Sequence, residues 1–218
     1  MQKSKSAKWV SWVIIIFGWF ALIAQFYLII LNRVASVAET IIRYFSFFTI
    51  LTNLLVALCF TFLLSKSKWK LGIFFSKPTT QTAVTVYILI VGIVYNLILR
   101  FLWQPKGLQL IVDELLHTVI PVLCVFFWWR NVNPKILNWK DAFPWLIYPL
   151  VYIFLILILG AISGFYPYPF IDVNTIGYAR VLINSGILAI CFLGVSFLFI
   201  AIGKRSHNKH LFRKRISS

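Results

Sequence analysis

Asp113 and His117 are the residues of this chain whose types and spacing most clearly suggest chemistry. The chain has three histidines, and His117 alone lies in an apolar segment, since His207 and His210 belong to the basic C-terminal end. Asp113 stands four residues before it, so the carboxylate and the imidazole share one face of a helix. Polar groups inside a membrane span are costly and tend to mark function. The pair therefore predicts a functional site within the apolar part of the chain.

Three further apolar segments carry polar residues at the spacing of one helical face. In each segment the polar residues recur every three or four positions, which places them on a single stripe. The stripes are Ser46, Thr49 and Asn53, with Thr52 beside them; Gly92, Asn96 and Arg100; and Arg180 with Asn184.

The polar residues of the different stripes lie at similar depths along their helices. At 1.5 Å per residue, Thr49 lies about 7 Å beyond Tyr44, where its segment begins, and His117 lies about 6 Å beyond Asp113. The other halves of these segments hold almost no polar residues. We therefore predict one polar pocket that opens toward the outer face or the outer leaflet of the membrane. Its expected substrate-binding residues are Thr52, Asn53, Asn96, Arg100 and Asn184.

Each of these residues also has a simpler structural interpretation. Thr49 and Thr52 can hydrogen-bond to their own helix, as membrane threonines usually do. Asn53 and Asn96 can join neighbouring helices. Arg100 can extend its side chain to the lipid headgroups. Spacing alone leaves both interpretations open.

A metal centre is a weaker interpretation of the acidic residues. His117 with Asp113, Glu114 and Asp172 would offer one imidazole and three carboxylates, and a single histidine is a weak zinc signal. The chain also lacks a G-x-S-x-G elbow, an H-E-x-x-H motif, a P-loop and a dinucleotide fingerprint. We therefore predict no metal and no cofactor.

The composition requires a membrane. Of the 218 residues 61% are hydrophobic and only 12% are charged, roughly half the charged fraction of a soluble domain. Six nearly uncharged windows have lengths close to the ~20 residues that a helix needs to span a bilayer. We predict an all-α bundle of six transmembrane helices, one domain over residues 1–218 with a basic tail at 204–218. The windows are Trp9–Leu31, Tyr44–Leu64, Ala83–Trp103, Leu108–Trp129, Phe143–Ser163 and Val181–Gly203.

The lysines and arginines predict the orientation. With the N-terminus inside, sixteen of the 21 fall at the inner side, including the groups at Lys3, Lys66, Lys135 and the tail. Positive residues in short loops favour the cytoplasm. We therefore expect both termini in the cytoplasm and the chain in the inner membrane of the cell. The remaining five bases are Arg33, Arg43, Arg100, Lys106 and Arg180.

Three stretches together resemble a known family. They are YFSFFTILTNLLVAL from Tyr44, DELLHTVIPVL from Asp113, and GFYPYPFIDVNTIGYARVLIN from Gly164. The pattern is similar to that of the bacterial Pr-six-Pr membrane proteins. Those in turn resemble the eukaryotic androgen-induced-gene-one and androgen-dependent TFPI-regulating proteins. The resemblance extends over most of the chain, and its most specific part is the aromatic and proline-rich loop at 166–172.

The resemblance implies a hydrolase of fatty acid esters of hydroxy fatty acids, which has a membrane-embedded threonine nucleophile and a histidine partner. Carried over, these roles fall on Thr49 and His117, with Thr52 as the alternative nucleophile because the spacing differs by about one residue. Asp113 would then orient the imidazole. Asn53 or Asn96 would stabilise the oxyanion. Arg100 would hold a substrate carboxylate.

Three functions remain open at this point. The chain is a lipid-ester hydrolase, or it binds or moves a lipid without catalysis, or its polar stripes only join helices. The net charge of +16 is spread over short segments between apolar windows, which suits anionic headgroups better than nucleic acid. We expect membrane lipids as partners and a fatty acyl ester as the substrate, with no nucleic acid. The sequence does not predict the oligomeric state.

Overall fold

The computed structural model describes residues 5–65, 68–133 and 136–216, and helices form all of its long elements. A π-helical turn, Leu115–Val119, joins α6 to α7. Beyond Arg205 only the course of the backbone is described. The helices are α1 (Lys5–Leu31), α2 (Val37–Ser46), α3 (Phe48–Ser65), α4 (Lys70–Ser76), α5 (Pro78–Leu97), α6 (Leu108–Glu114), α7 (Ile120–Asn131), α8 (Ala142–Trp145), α9 (Ile147–Ser163) and α10 (Val173–Ile216).

Six helical stretches are long and apolar enough to cross a membrane, which confirms the predicted fold class. The chain is therefore a multi-pass membrane protein. Lys3, Lys66 and Lys135, on which the predicted orientation partly depends, lie outside the described residues, as do the tail side chains beyond Arg205. The six stretches are Lys5–Leu31, Phe48–Ser65, Pro78–Phe101, Leu108–Asn131, Trp139–Ser163 and Val173–Arg205.

The second span begins at Phe48 and not at Tyr44. Phe47 has an extended backbone, with a ψ of 123°, and this break separates α2 from α3. The predicted polar stripe is therefore wrong at its first residue, because Ser46 belongs to α2. The Ser46 carbonyl, which the break leaves without a helical donor, accepts a hydrogen bond of 2.8 Å from the Tyr152 hydroxyl. A tertiary contact thus compensates for the interrupted helix.

The separate helix α2 is amphipathic. Val37, Ile41 and Phe45 expose apolar side chains, while Tyr44 is buried and donates a hydrogen bond of 2.8 Å to the carbonyl of Leu22. An amphipathic helix next to a span is suited to the membrane interface. It sets the position at which α3 enters the bundle.

Helices α1, α3, α5 and α7 pack around the core, and α9 and α10 lie beside them. The loop 164–172 connects α9 to α10 and folds back over the bundle. Within it, the Tyr166 ring lies directly against Gly160 of α9, so closely that a methyl group there would overlap the ring. Gly160 therefore determines how closely the loop approaches the helices.

Gly160→Ala should lower the free energy of unfolding by about 1–3 kcal/mol, because the added methyl group must displace Tyr166. Gly186→Ala is the matched control, since a Cβ at that position meets nothing within 4 Å. The control should be neutral, or stabilising by up to ~1 kcal/mol through helix propensity. Thermal and denaturant unfolding of the purified proteins measures both changes. Equal stability of the two variants would contradict the packing described.

Candidate functional site

His117 lies in a buried cluster between the π-helical turn and α5. Its Nδ1 is 2.9 Å from the carbonyl oxygen of Asp113 and 3.4 Å from Asp113 Oδ1. The ring of Tyr95 stacks on the imidazole, with centroids 3.9 Å apart, and the Tyr95 hydroxyl donates to Asp113 Oδ2. His117 and Asp113 are only 9% and 5% exposed. Because both neighbours of Nδ1 are acceptors, the proton belongs on Nδ1, and Nε2 is left as the basic nitrogen.

The π-helical turn that carries His117 follows from Pro121. Pro121 has no N–H to donate to the His117 carbonyl four residues earlier. Asn96 supplies the missing donor, with its Nδ2 at 3.2 Å from that carbonyl oxygen. Gly92 lets α5 approach this closely, since a Cβ there would lie 3.0 Å from the same oxygen. The Gly92 and Asn96 stripe thus supports the backbone at His117.

Asn96→Leu should reduce stability because the buried His117 carbonyl would lose its side-chain donor. We expect a loss of about 1–3 kcal/mol in the free energy of unfolding. Asn32→Leu is the control. Asn32 donates to the carbonyl four residues earlier at 2.9 Å, as Asn96 does to Gly92, but on an exposed surface and with no second helix to support. That change should stay within about 0.5 kcal/mol. The denaturant midpoints of the two variants measure these changes. Equal losses of stability would exclude the bridging role of Asn96.

Arg100, the last residue of the same stripe, forms an ion pair with Glu114, the residue after Asp113. Its Nη2 is 2.6 Å from Glu114 Oε1 and 3.2 Å from Thr118 Oγ1. The guanidinium carbon lies 5.3 Å from the centre of the Tyr95 ring. The charge of Arg100 is therefore already balanced by Glu114. The predicted contact between Arg100 and a substrate carboxylate would have to compete with this ion pair.

Thr49 lies in the first turn of α3, where backbone N–H groups have no helical acceptor. Its N–H donates to the Tyr168 hydroxyl at 3.2 Å, and its Oγ1 is 3.4 Å from the same hydroxyl. Tyr168 comes from the loop 164–172. Burial raises the pKa of Tyr168, so its hydroxyl keeps the proton. One phenol thus lies beside both the side-chain oxygen and the N–H of Thr49.

The two neighbours of Thr49 on α3 have other partners. Thr52 Oγ1 is 3.1 Å from the Tyr148 hydroxyl. Asn53 Nδ2 donates to the Thr49 carbonyl at 2.9 Å and to the Leu116 carbonyl at 3.2 Å. Asn53 therefore ties the start of α3 to the π-helical turn. Its amide hydrogens are bound to main-chain oxygens, as those of Asn96 are.

One cavity of about 370 Å³, here called the central cavity, joins the two clusters. Thr49 and Tyr168 line one part of its wall, and Tyr95, Asp113 and His117 line another. Its volume lies in the range of small-molecule binding sites. The structure thus brings Thr49, Asp113 and His117 to one space, although no hydrogen bond joins Thr49 to His117 among the described residues.

An apolar groove of about 90 Å³ meets the central cavity at Thr49. Side chains from α3, α5, α9 and α10 line this groove, with Phe48 and Ile153 among them. Thr49, Tyr168 and Leu99 line both spaces. Thr49 is therefore located where a polar space and an apolar space join, which suits an amphiphilic ligand.

The stripe on α10 does not reach the central cavity. Asn184 Nδ2 donates to the Phe170 carbonyl at 2.8 Å, and Arg180 is exposed. Asn184 thus holds the loop that carries Tyr168, so its contact with the cavity is indirect. Thr52, Asn53, Asn96 and Arg100 likewise lie outside the lining of the central cavity, so none of the five predicted substrate-binding residues lines it.

Two tyrosines of the site did not follow from the sequence. Tyr95 and Tyr168 are buried, and each contacts one of the predicted chemical residues. Tyrosine in a membrane protein usually indicates an interfacial anchor. For this reason neither residue was predicted to belong to the site. The available signals were the position of Tyr95 beside Asn96 and the place of Tyr168 in the loop 166–172.

Comparisons of the chain with models of protein families, with curated proteins and with solved structures find no match. Function is therefore inferred from the groups that line the cavity. These are a hydroxyl at a helix N-terminus, an imidazole with a free Nε2, a carboxylate and two phenols. Such a set can perform acyl transfer through a covalent intermediate.

Proposed function

We propose that this protein is a lipid-ester hydrolase of the cell membrane, with Thr49 as the nucleophile and His117 as the base. The observation that carries the proposal is the shared cavity, which has Thr49, Asp113 and His117 on its wall and an apolar groove at Thr49. An ester substrate is amphiphilic, so its acyl chain fits the groove while its carbonyl group stays in the polar space.

In the proposed reaction Thr49 Oγ1 attacks the acyl carbonyl carbon, and His117 Nε2 takes the hydroxyl proton. The His117 imidazolium then returns this proton to the leaving alkoxide as the C–O bond breaks, which leaves an acyl-threonine. Water, deprotonated by the same nitrogen, attacks the carbonyl carbon of the acyl-threonine. The imidazolium returns this proton to Thr49 Oγ1 as the C–O bond breaks, which releases the fatty acid and restores the enzyme. The contacts of Nδ1 with Asp113 keep Nε2 available throughout.

The tetrahedral intermediate places a negative charge on the former carbonyl oxygen. The Thr49 N–H and the Tyr168 hydroxyl both lie next to the nucleophile. The Thr49 N–H donates to Tyr168 in the free protein, and both groups would turn to this oxygen when it forms. The positive end of the α3 dipole adds to the stabilisation. Asn53 and Asn96 are poorer candidates than the sequence suggested, because their amide hydrogens are bound to main-chain carbonyls.

Two further parts of the proposal depend on the sequence. The charge distribution supports cytoplasmic termini, which would place the central cavity toward the outer leaflet. The resemblance of three stretches to the Pr-six-Pr proteins supports membership of that family. Of those stretches, the loop 166–172 supplies Tyr168, and the segment from Asp113 supplies His117.

Labelling with a fluorophosphonate that carries an alkyl chain tests the proposal. This probe phosphorylates activated hydroxyl nucleophiles. Labelling should be lost in Thr49→Ala and strongly reduced in His117→Ala, because the first removes the nucleophile and the second its base. Thr52→Val is the matched control, since it removes a hydroxyl one turn away whose hydrogen-bond partner among the described residues is Tyr148. Labelling that persists in Thr49→Ala but disappears in Thr52→Val would transfer the nucleophile to Thr52.

A non-enzymatic lipid-binding protein is the second candidate. It is favoured by one observation, namely that the hydroxyl of Thr49 contacts Tyr168 and not His117. The same cavity and groove would then hold an amphiphile without cleaving it. Unchanged or absent labelling in all three variants, together with saturable lipid binding, would support this function and contradict the hydrolase.

A further inference from the structure

A third cavity, of about 550 Å³ and here called the vestibule, lies at the end of the bundle where α1 meets α2. Arg33, Arg43 and Lys106 all line it. Glu39 pairs with Arg43 at 2.5 Å, but Arg33 and Lys106 have no carboxylate partner among the described residues. Both are exposed. The vestibule therefore carries an excess of positive charge that the fold itself does not neutralise.

The vestibule adjoins the central cavity. Gln25, Trp103 and Gln109 line both spaces. The two glutamines are hydrogen-bonded to each other, with Gln109 Nε2 donating to Gln25 Oε1 at 2.8 Å. The bonded pair of glutamines thus lies at the boundary between the basic vestibule and the space that contains Thr49 and His117.

Three spaces follow one another through the bundle: the basic vestibule, the polar central cavity and the apolar groove. They match the parts of an anionic acyl lipid in order. The charged headgroup would bind in the vestibule, since a charge is costly to bury without a partner. The ester would lie at Thr49, and the acyl chain would enter the groove.

We propose that the vestibule binds the phosphate of a lipid headgroup, and hence that the substrate is an anionic phospholipid acyl ester. Several cations around one space suit a phosphate, because its oxygens accept several charge-assisted hydrogen bonds at once. A single carboxylate would need only one such cation. The described residues that line the central cavity include no lysine or arginine, so the central cavity offers no equivalent site. The position of the ester rests on the proposed function, whereas the headgroup site does not.

Binding of decyl phosphate tests the headgroup site. The probe is titrated below its critical micelle concentration into the full chain in phosphatidylcholine nanodiscs. The Thr49→Ala background makes the result independent of hydrolysis. Arg33→Gln with Lys106→Gln should raise the Kd by about 25-fold, since each cation near a membrane surface contributes roughly fivefold. Arg130→Gln with Lys77→Gln is the control with the same change in net charge at the opposite end of the bundle, and it should leave the Kd unchanged.

Three results would overturn the proposal. One is an equal loss of affinity in the control variant, which would indicate only general attraction to a basic protein. Another is equally tight binding of decanoate, which would remove the preference for phosphate. The third is equally tight binding of inorganic phosphate, which would make the vestibule a site for the free ion. Selective binding of decyl phosphate by a protein that hydrolyses no ester would instead refute the proposed catalysis and leave the headgroup site in place.

Discussion

Thr49→Ala should reduce the hydrolysis of a fluorogenic acyl ester by about 10³-fold or more, the usual scale for loss of a catalytic nucleophile. Thr49→Ser should keep a large part of the activity, because it retains the hydroxyl and removes only a methyl group. Turnover by the purified protein in lipid nanodiscs measures both variants. The pair separates the chemistry of the hydroxyl from the packing of the side chain.

Stability provides the control for this experiment. The side chain of Thr49 makes one hydrogen bond, to Tyr168 at 3.4 Å, so its loss should cost only about 0.5–1.5 kcal/mol of unfolding free energy. A Thr49→Ala protein that folds normally and still hydrolyses the ester at the wild-type rate would refute the nucleophile assignment. A protein that loses activity only in proportion to lost folded material would do the same.

Tyr168→Phe should lower kcat by about 10²-fold, as expected when one donor to an oxyanion is removed. Tyr148→Phe is the matched control, because Tyr148 is also a partly buried phenol bonded to a threonine of α3, at 3.1 Å, but outside the central cavity. Its kcat should stay near the wild-type value. Equal effects of the two changes would show that Tyr168 acts through packing alone.

The pH dependence of the Tyr168 effect offers a second readout. An ordinary tyrosine loses its proton near pH 10, and burial raises the pKa of Tyr168 above that value. The neutral phenol, which is the donor, is therefore still the main form at pH 10. The ratio of wild-type to Tyr168→Phe activity should stay nearly constant from pH 7 to pH 9 and remain well above one at pH 10. A ratio that falls toward one within this range would mean that the phenol ionises and does not act as proposed.

The six spans could be predicted because their cause is local. A chain with a mean hydropathy of +0.90 must cover its backbone polar groups in lipid, and helices of about 20 residues are the structures that do so. The stripe of Gly92, Asn96 and Arg100 was also readable, since residues four apart share a face. Their partners were not readable from spacing. The structure assigns Asn96 to the His117 carbonyl and Arg100 to Glu114.

The break at Phe47 could not be predicted from the neighbouring residues. An apolar run from Tyr44 to Leu64 predicts one uninterrupted helix, and nothing in its composition marks a stop. The break is stabilised from a distance, through the bond from the Tyr152 hydroxyl to the Ser46 carbonyl. Its consequence is large, because it places Thr49 in the first turn of a helix, where its N–H has no helical acceptor and donates to Tyr168.

By itself, the sequence determined that the chain spans a membrane, how many spans it has, and on which helical faces most of the polar residues lie. These follow from hydrophobicity and from the helical repeat, which act over a few residues. Only the tertiary structure decided that Thr49 and His117 share a cavity, that Tyr95 and Tyr168 contact the chemical groups, and that Asn184 holds a loop. Such relations depend on how different helices approach one another. That approach is set by packing at Gly92 and Gly160 and by hydrogen bonds across the bundle, which link residues far apart in the chain.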